Sequence, residues 1–179
     1  MRKIICALSV LGTLIFALAV SAAAPVNFAG TWTLDKSKSQ GLSPRAQGAD
    51  SVSWTITQTD KAITVEEKVT GGTMAGGPGG PAGGGGRGGF GGGPRTYNLD
   101  GSETTADMGR GKATRKASWS GDGKTLELST KSVFQGQDGE VTMTSTEKLQ
   151  LSGDGKTLTV TRHSEGPRGP QDSTYVFTK

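Results

Sequence analysis

The sequence is poor in the residues that announce chemistry. It carries one Cys (Cys6) and one His (His163) in 179 residues. Single copies of each cannot build a His/Cys metal cluster or a nucleophilic site that needs both, so no metal and no cofactor is expected. There is no Gly-x-Ser-x-Gly turn to present a serine nucleophile, and no carboxylate pair is singled out by its spacing. An enzyme is therefore not the expectation. A large excess of one charge is missing as well. Removing Arg2 and Lys3 with an amino-terminal segment reduces the 20 basic residues to 18, against 16 acidic ones. A strongly basic nucleic-acid-binding surface is excluded on that balance.

Long apolar runs are confined to the amino terminus. Arg2 and Lys3 precede an apolar stretch from Ile4 to Val20, followed by Ser21, Ala22 and Ala23. This is the layout of a secretory signal, with cleavage expected after Ala23. The alternative is an uncleaved anchor, although the run is near the lower limit for spanning about 30 Å of hydrocarbon. The expected organisation is a signal over residues 1–23 and one domain over 24–179, periplasmic or extracellular, monomeric and without a stable membrane anchor. Cys6 would leave with the signal, so no disulfide is available to staple the domain. After residue 23 only roughly a quarter of the residues are apolar, enough for one thin core.

What is present is a period of two. Phe28-Gly30-Trp32-Leu34, Val52-Trp54-Ile56 and Ile63-Val65 running to Val69 each alternate with polar residues. The same holds for Tyr97-Leu99, a weak segment near Thr104 to Met108, Ala113 to Trp119, and Leu126-Leu128 towards Val133. Val141-Met143 to Leu149-Leu151, Leu158-Val160 and Tyr175-Phe177 complete the set. The spacing predicts about ten half-buried antiparallel strands. Asp100-Gly101, Asp122-Gly123, Asp138-Gly139 and Asp154-Gly155 fall between them, and Gly tolerates the positive φ of a tight hairpin. The stretch Lys36 to Asp50 is read as a loop with at most one helical turn.

Residues 71–94 hold 15 Gly and three Pro in 24 positions. This glycine-rich insertion lacks the apolar side chains that would offset its ordering and is expected to be disordered. Arg87-Gly88-Gly89-Phe90 within it resembles one unit of an RNA-binding arginine-glycine-glycine segment, but such segments act through many copies. Ser-Gly-Asp-Gly-Lys-Thr occurs at Ser120 to Thr125 and again at Ser152 to Thr157. The glycine spacing and strand-to-helix context of a phosphate-binding loop are absent, so these are read as hairpin turns.

Hairpins in series without a crossover helix predict an all-β antiparallel up-and-down meander, closed as a barrel of about 8–10 strands; a two-sheet sandwich is the alternative. The segment Asn27-Phe28-Ala29-Gly30-Thr31-Trp32 resembles the first strand of the calycin group, the lipocalins and fatty-acid-binding proteins. It is more similar to small bacterial secreted lipocalin-like proteins of uncharacterised function, which share the early Gly-Thr-Trp and an ending like Ser173-Thr174-Tyr175-Val176-Phe177. The resemblance implies a binding module for a small apolar or amphipathic ligand. The alternative is an envelope structural or interaction protein whose barrel is filled by its own side chains.

Four charged residues share the apolar parity: Glu67, Arg115, Glu147 and Arg162. They are expected inside the barrel or at its mouth, either neutralising one another or holding a ligand's carboxylate, unless bulges turn them to water. Arg115, Arg162, Glu147 and Trp54 are the candidate ligand-binding residues. Trp32, Trp54 and Trp119 either line a pocket or fill it. His163 is read as a surface residue.

Overall fold

A computed structural model describes residues 25–71, 93–109, 111–136 and 139–179. The expected signal segment, Arg87 with most of the glycine-rich insertion, and Asp138 lie outside them.

Ten strands form among the described residues, in chain order: β1 (Gly30–Leu34), β2 (Ser51–Gln58), β3 (Ala62–Thr70), β4 (Arg95–Asn98) and β5 (Thr104–Asp107). They continue with β6 (Gly111–Trp119), β7 (Thr125–Gly136), β8 (Gly139–Leu151), β9 (Thr157–Glu165) and β10 (Gln171–Thr178). Their order in the single sheet is β4-β3-β2-β1-β10-β9-β8-β7-β6-β5, every neighbour antiparallel. The first strand therefore pairs with the last, and the sheet curls until β4 and β5 meet. At that seam Thr104 Oγ1 donates to the Thr96 carbonyl at 2.9 Å, in place of a continuous ladder. The result is a nearly closed ten-stranded antiparallel barrel, as the hairpin pattern predicts.

Serine, aspartate and glycine build the tight turns at one end, here the floor. Ser120 Oγ donates to Asp122 Oδ1 at 2.5 Å, the Lys124 N–H donates to the same oxygen, and Gly123 takes φ 68°. Ser152, Asp154, Lys156 and Gly155 repeat the arrangement between β8 and β9. The segment before β1 crosses this end. The Val26 N–H donates to the Gly123 carbonyl, and the Gln58 side chain holds Val26 and Phe28 in place. Trp32 donates its indole N–H to the Phe28 carbonyl at 2.9 Å, so the buried ring leaves no polar atom unpaired.

A short helix, α1 (Pro44–Gly48), interrupts the loop between β1 and β2. Ser43 caps it by accepting from the Ala46 N–H, Pro44 opens its first turn, and Ala46 and Ala49 pack into the core. The single helical turn is where the sequence places it. Among the described residues no helix is long and apolar enough to cross a membrane.

The core fills the floor half. Phe28, Trp32, Ile63, Val65, Tyr97, Leu126, Leu128, Leu149, Leu158, Val160 and Phe177 are all essentially inaccessible. Higher up, the inward positions change character. On β7 the series Leu126, Leu128 is followed by Thr130 and Ser132; on β8, Leu149 is followed by Glu147 and Ser145, all buried. The apolar run expected towards Val133 is corrected here: Val133 has the opposite parity to Leu128, so Ser132 takes the interior place.

Candidate functional site

Register brings the polar interior together. Glu147 on β8 faces Leu128 on one side and Arg162 of β9 on the other. Arg95 opens β4 opposite Val65, and Trp54 on β2 lies between Trp32 and Glu67. Arg115 on β6 stands opposite Thr130 of β7, with Ala113 opposite Ser132 one step higher.

Glu147 is the hub of this group. Its side chain is 1% exposed, and Arg95 Nη1 donates to both carboxylate oxygens at 3.1 Å. Arg162 Nη2 lies 3.0 Å from Glu147 Oε1. Desolvation pushes the carboxyl upward, but Arg95 and Arg162 outweigh it and hold Glu147 below the ordinary glutamate range. Burial works against the Arg95 charge too, and the pairing with Glu147 more than restores it. Arg95 also sits 5.5 Å from the Trp54 ring centre, a cation–π distance.

Trp54 marks the boundary between the two halves. Its ring packs on Phe177 with centroids 4.8 Å apart, while its indole N–H donates to Glu67 Oε2 at 3.0 Å. Glu67 itself is exposed at the rim. Tyr97 Oη and Thr130 Oγ1 share a buried hydrogen bond of 3.0 Å.

Arg115 differs from the other two arginines. It pairs with no carboxylate among the described residues, and neither its Nε nor Ser132 Oγ has a hydrogen-bond partner there. Desolvation lowers the Arg115 proton affinity, and the Arg95 charge adds to that effect. An unpaired buried donor costs about 1–3 kcal/mol, so two on adjacent strands mark a place short of acceptors.

The four charged residues of the apolar parity thus have distinct fates. Glu147 and Arg162 are tied into one ion-pair group, Arg115 points inward without a carboxylate, and Glu67 sits at the rim. Trp54 is buried between Phe177 and Arg95. Arg95, Tyr97, Thr130 and Ser132 were not singled out in the sequence. Arg95 does share the parity of Tyr97 and Leu99, but the glycine-rich stretch ends one residue earlier and draws attention away from it.

Two concavities, of about 520 and 350 Å³, lie on the outside of the wall. The larger is lined by Thr146, Lys148, Thr161 and His163, with Arg162 also among its lining residues. His163 Nδ1 lies 2.7 Å from Asp172 Oδ1 and its Nε2 3.5 Å from Glu165 Oε1, which raises the imidazole above its ordinary value. No group of three or more His, Cys, Asp or Glu among the described residues could hold a metal ion.

No protein-family model and no curated protein matches this sequence. Among solved structures, the chain is similar to zebrafish ileal bile acid-binding protein in complex with cholic acid. Identity is 14%, the match covers 85% of this chain and 98% of the other, and the TM-score is 0.47. At that level the similarity adds nothing to the strand order already described.

Proposed function

We propose that the protein is an exported, non-catalytic binding protein for a small amphipathic ligand whose polar end enters the upper half of the barrel. The observation that supports this reading is the division of the interior. Arg95 and Arg162 pair with a single buried carboxylate above an apolar floor, while Arg115 has no carboxylate partner among the described residues. A protein that merely filled its barrel would gain by replacing such a group with hydrophobic side chains. The amino-terminal segment supports export through its charge and apolar layout.

A second reading has its own support. The floor is packed by Phe28, Trp32, Tyr97 and Phe177, all inaccessible. This suits an envelope structural or interaction protein with a filled barrel. Native mass spectrometry on protein purified from its own host separates the two. A co-purifying amphipathic molecule, displaced by a fluorescent amphipathic probe, is the expected result. A bare chain that takes up no such probe would favour the structural role.

A further inference from the structure

We propose that the outward face of β6 to β10 carries a second binding site, a polar row running across the strands that takes an uncharged, extended oligosaccharide. The proposal goes beyond the interior-ligand reading and does not depend on whether the interior holds anything.

Register and parity build the row. Ala117, Leu126, Leu149, Val160 and Tyr175 turn inward and are buried, so residues of the opposite parity face out. Pairing joins these across the sheet: Ser118 to Glu127, Glu127 to Lys148, Lys148 to Thr161, and Thr161 to Thr174. Above Phe177, β1 no longer flanks β10, and the loop after β1 sets Gln40 beside Thr174 instead. The two backbones exchange hydrogen bonds of 2.8 and 2.9 Å. Gly41 allows this close approach, since a Cβ there would lie 2.5 Å from the Asp172 carbonyl oxygen. At about 4.8 Å per strand, the six residues span about 24 Å.

The two concavities meet on this row, because Lys148 lines both. From Lys148 the larger one continues over Thr161 and Thr174 to Gln40, and the smaller one over Glu127 to Ser118 and Trp119. Trp119 is half-buried and stacked on Phe28, with ring centroids 6.0 Å apart. An indole therefore stands at one end of the row.

Composition selects the ligand class. None of the six residues is apolar, unlike the centre of a protein–protein interface. Glu127 and Lys148 are the only charges in the row, with Oε2 and Nζ 3.6 Å apart, so no excess of positive charge awaits a phosphate backbone. What remains is the hydroxyls of Ser118, Thr161 and Thr174 and the amide of Gln40, groups that both donate and accept. A sugar chain offers the same two-way hydroxyls along its length, and the C–H face of a sugar ring suits an apolar indole surface. A row of about 24 Å calls for several linked rings rather than one.

The test adds cellohexaose, chitohexaose and maltohexaose, each with its disaccharide, to the unmodified protein and to Thr161→Val and Thr174→Val. Valine keeps the branched shape on the outer face and removes only the hydroxyl. The readouts are threonine methyl resonances and calorimetric affinity. One hexasaccharide should shift Thr161 and Thr174 saturably without moving the inward Thr130, and bind at least about 10-fold more tightly than its disaccharide. Each valine variant should weaken that binding about 2- to 10-fold, the range of one neutral hydrogen bond, with an unchanged melting temperature. Decanoate should not compete. Threonine resonances unmoved by all three hexasaccharides would overturn the proposal. So would affinity unaltered by both valine variants, equal binding of the disaccharide, displacement by decanoate, or tighter binding of a sulfated heparin hexasaccharide, which would mark a site for charge.

Discussion

Glu147 shows how a single side chain sets the charge state of the barrel. Its folded-state carboxyl lies below the ordinary glutamate range, so its contribution to stability is present above that range and is lost as pH falls through the folded value. Glu147→Gln removes the carboxylate that Arg95 and Arg162 share. It should cost about 3–5 kcal/mol, the range for breaking a buried pair from one side. Urea unfolding at neutral pH measures that loss, and the acid sensitivity of the parent should be correspondingly smaller in the variant. His163 behaves with the opposite sign. Asp172 and then Glu165 raise it, so the stability it adds is complete below the unfolded imidazole value and fades as pH rises through the folded one. An NMR titration should place its midpoint above 6.5, and Asp172→Asn should bring it down.

At the scale of the element, β3 and β4 are mismatched. β3 runs to Thr70, whereas β4 begins at Arg95 opposite Val65. The chain must therefore return past five residues, about 17 Å at about 3.3 Å per residue. Shortening the 71–94 connection to about eight residues should leave stability nearly unchanged, because loop entropy changes by only about 0.6 kcal/mol per doubling. Deleting Gly72 to Gly93 entirely should instead unravel the upper part of β3, read as a lower melting temperature. Trypsin should leave the Arg95–Thr96 bond intact in the folded protein, since the Arg95 side chain is 8% exposed and held by Glu147. That reverses the expectation for an arginine bordering a glycine-rich loop.

Such strands also show what sequence can carry. The ten segments, their parity and the Asp-Gly turns are local patterns, and a local pattern is enough to order a chain of hairpins. The inward placement of Arg115, Glu147 and Arg162 was legible for the same reason. Which arginine meets which carboxylate was not, because Arg95 reaches Glu147 across 52 residues of chain. Parity assigns a face; it does not assign a partner across the barrel. Ser132 was hidden differently, since a serine between Lys131 and Val133 looks like an ordinary outward residue until its register is known.

The whole molecule depends on one non-local junction. Every other pairing in the sheet joins neighbours in sequence, but β1 pairs with β10 through Thr33–Thr178 and Leu34–Phe177. Removing Gln171 to Lys179 takes away β10 with Tyr175 and Phe177 and leaves β1 and β9 with open edges. Circular dichroism should then show strand content without a cooperative melt, because no closed core remains.

The same junction places the fold in time. A chain made from its amino terminus can form hairpins as it emerges, from β2–β3 through to β8–β9, each needing only residues already made. The opening strand must wait, with Trp32 and Leu34 lacking their final cover, until the last nine residues arrive to pair with it. Until β10 docks on β1, the sheet is a ribbon with open edges. Closure, and with it any capacity to enclose something, waits on that one pairing.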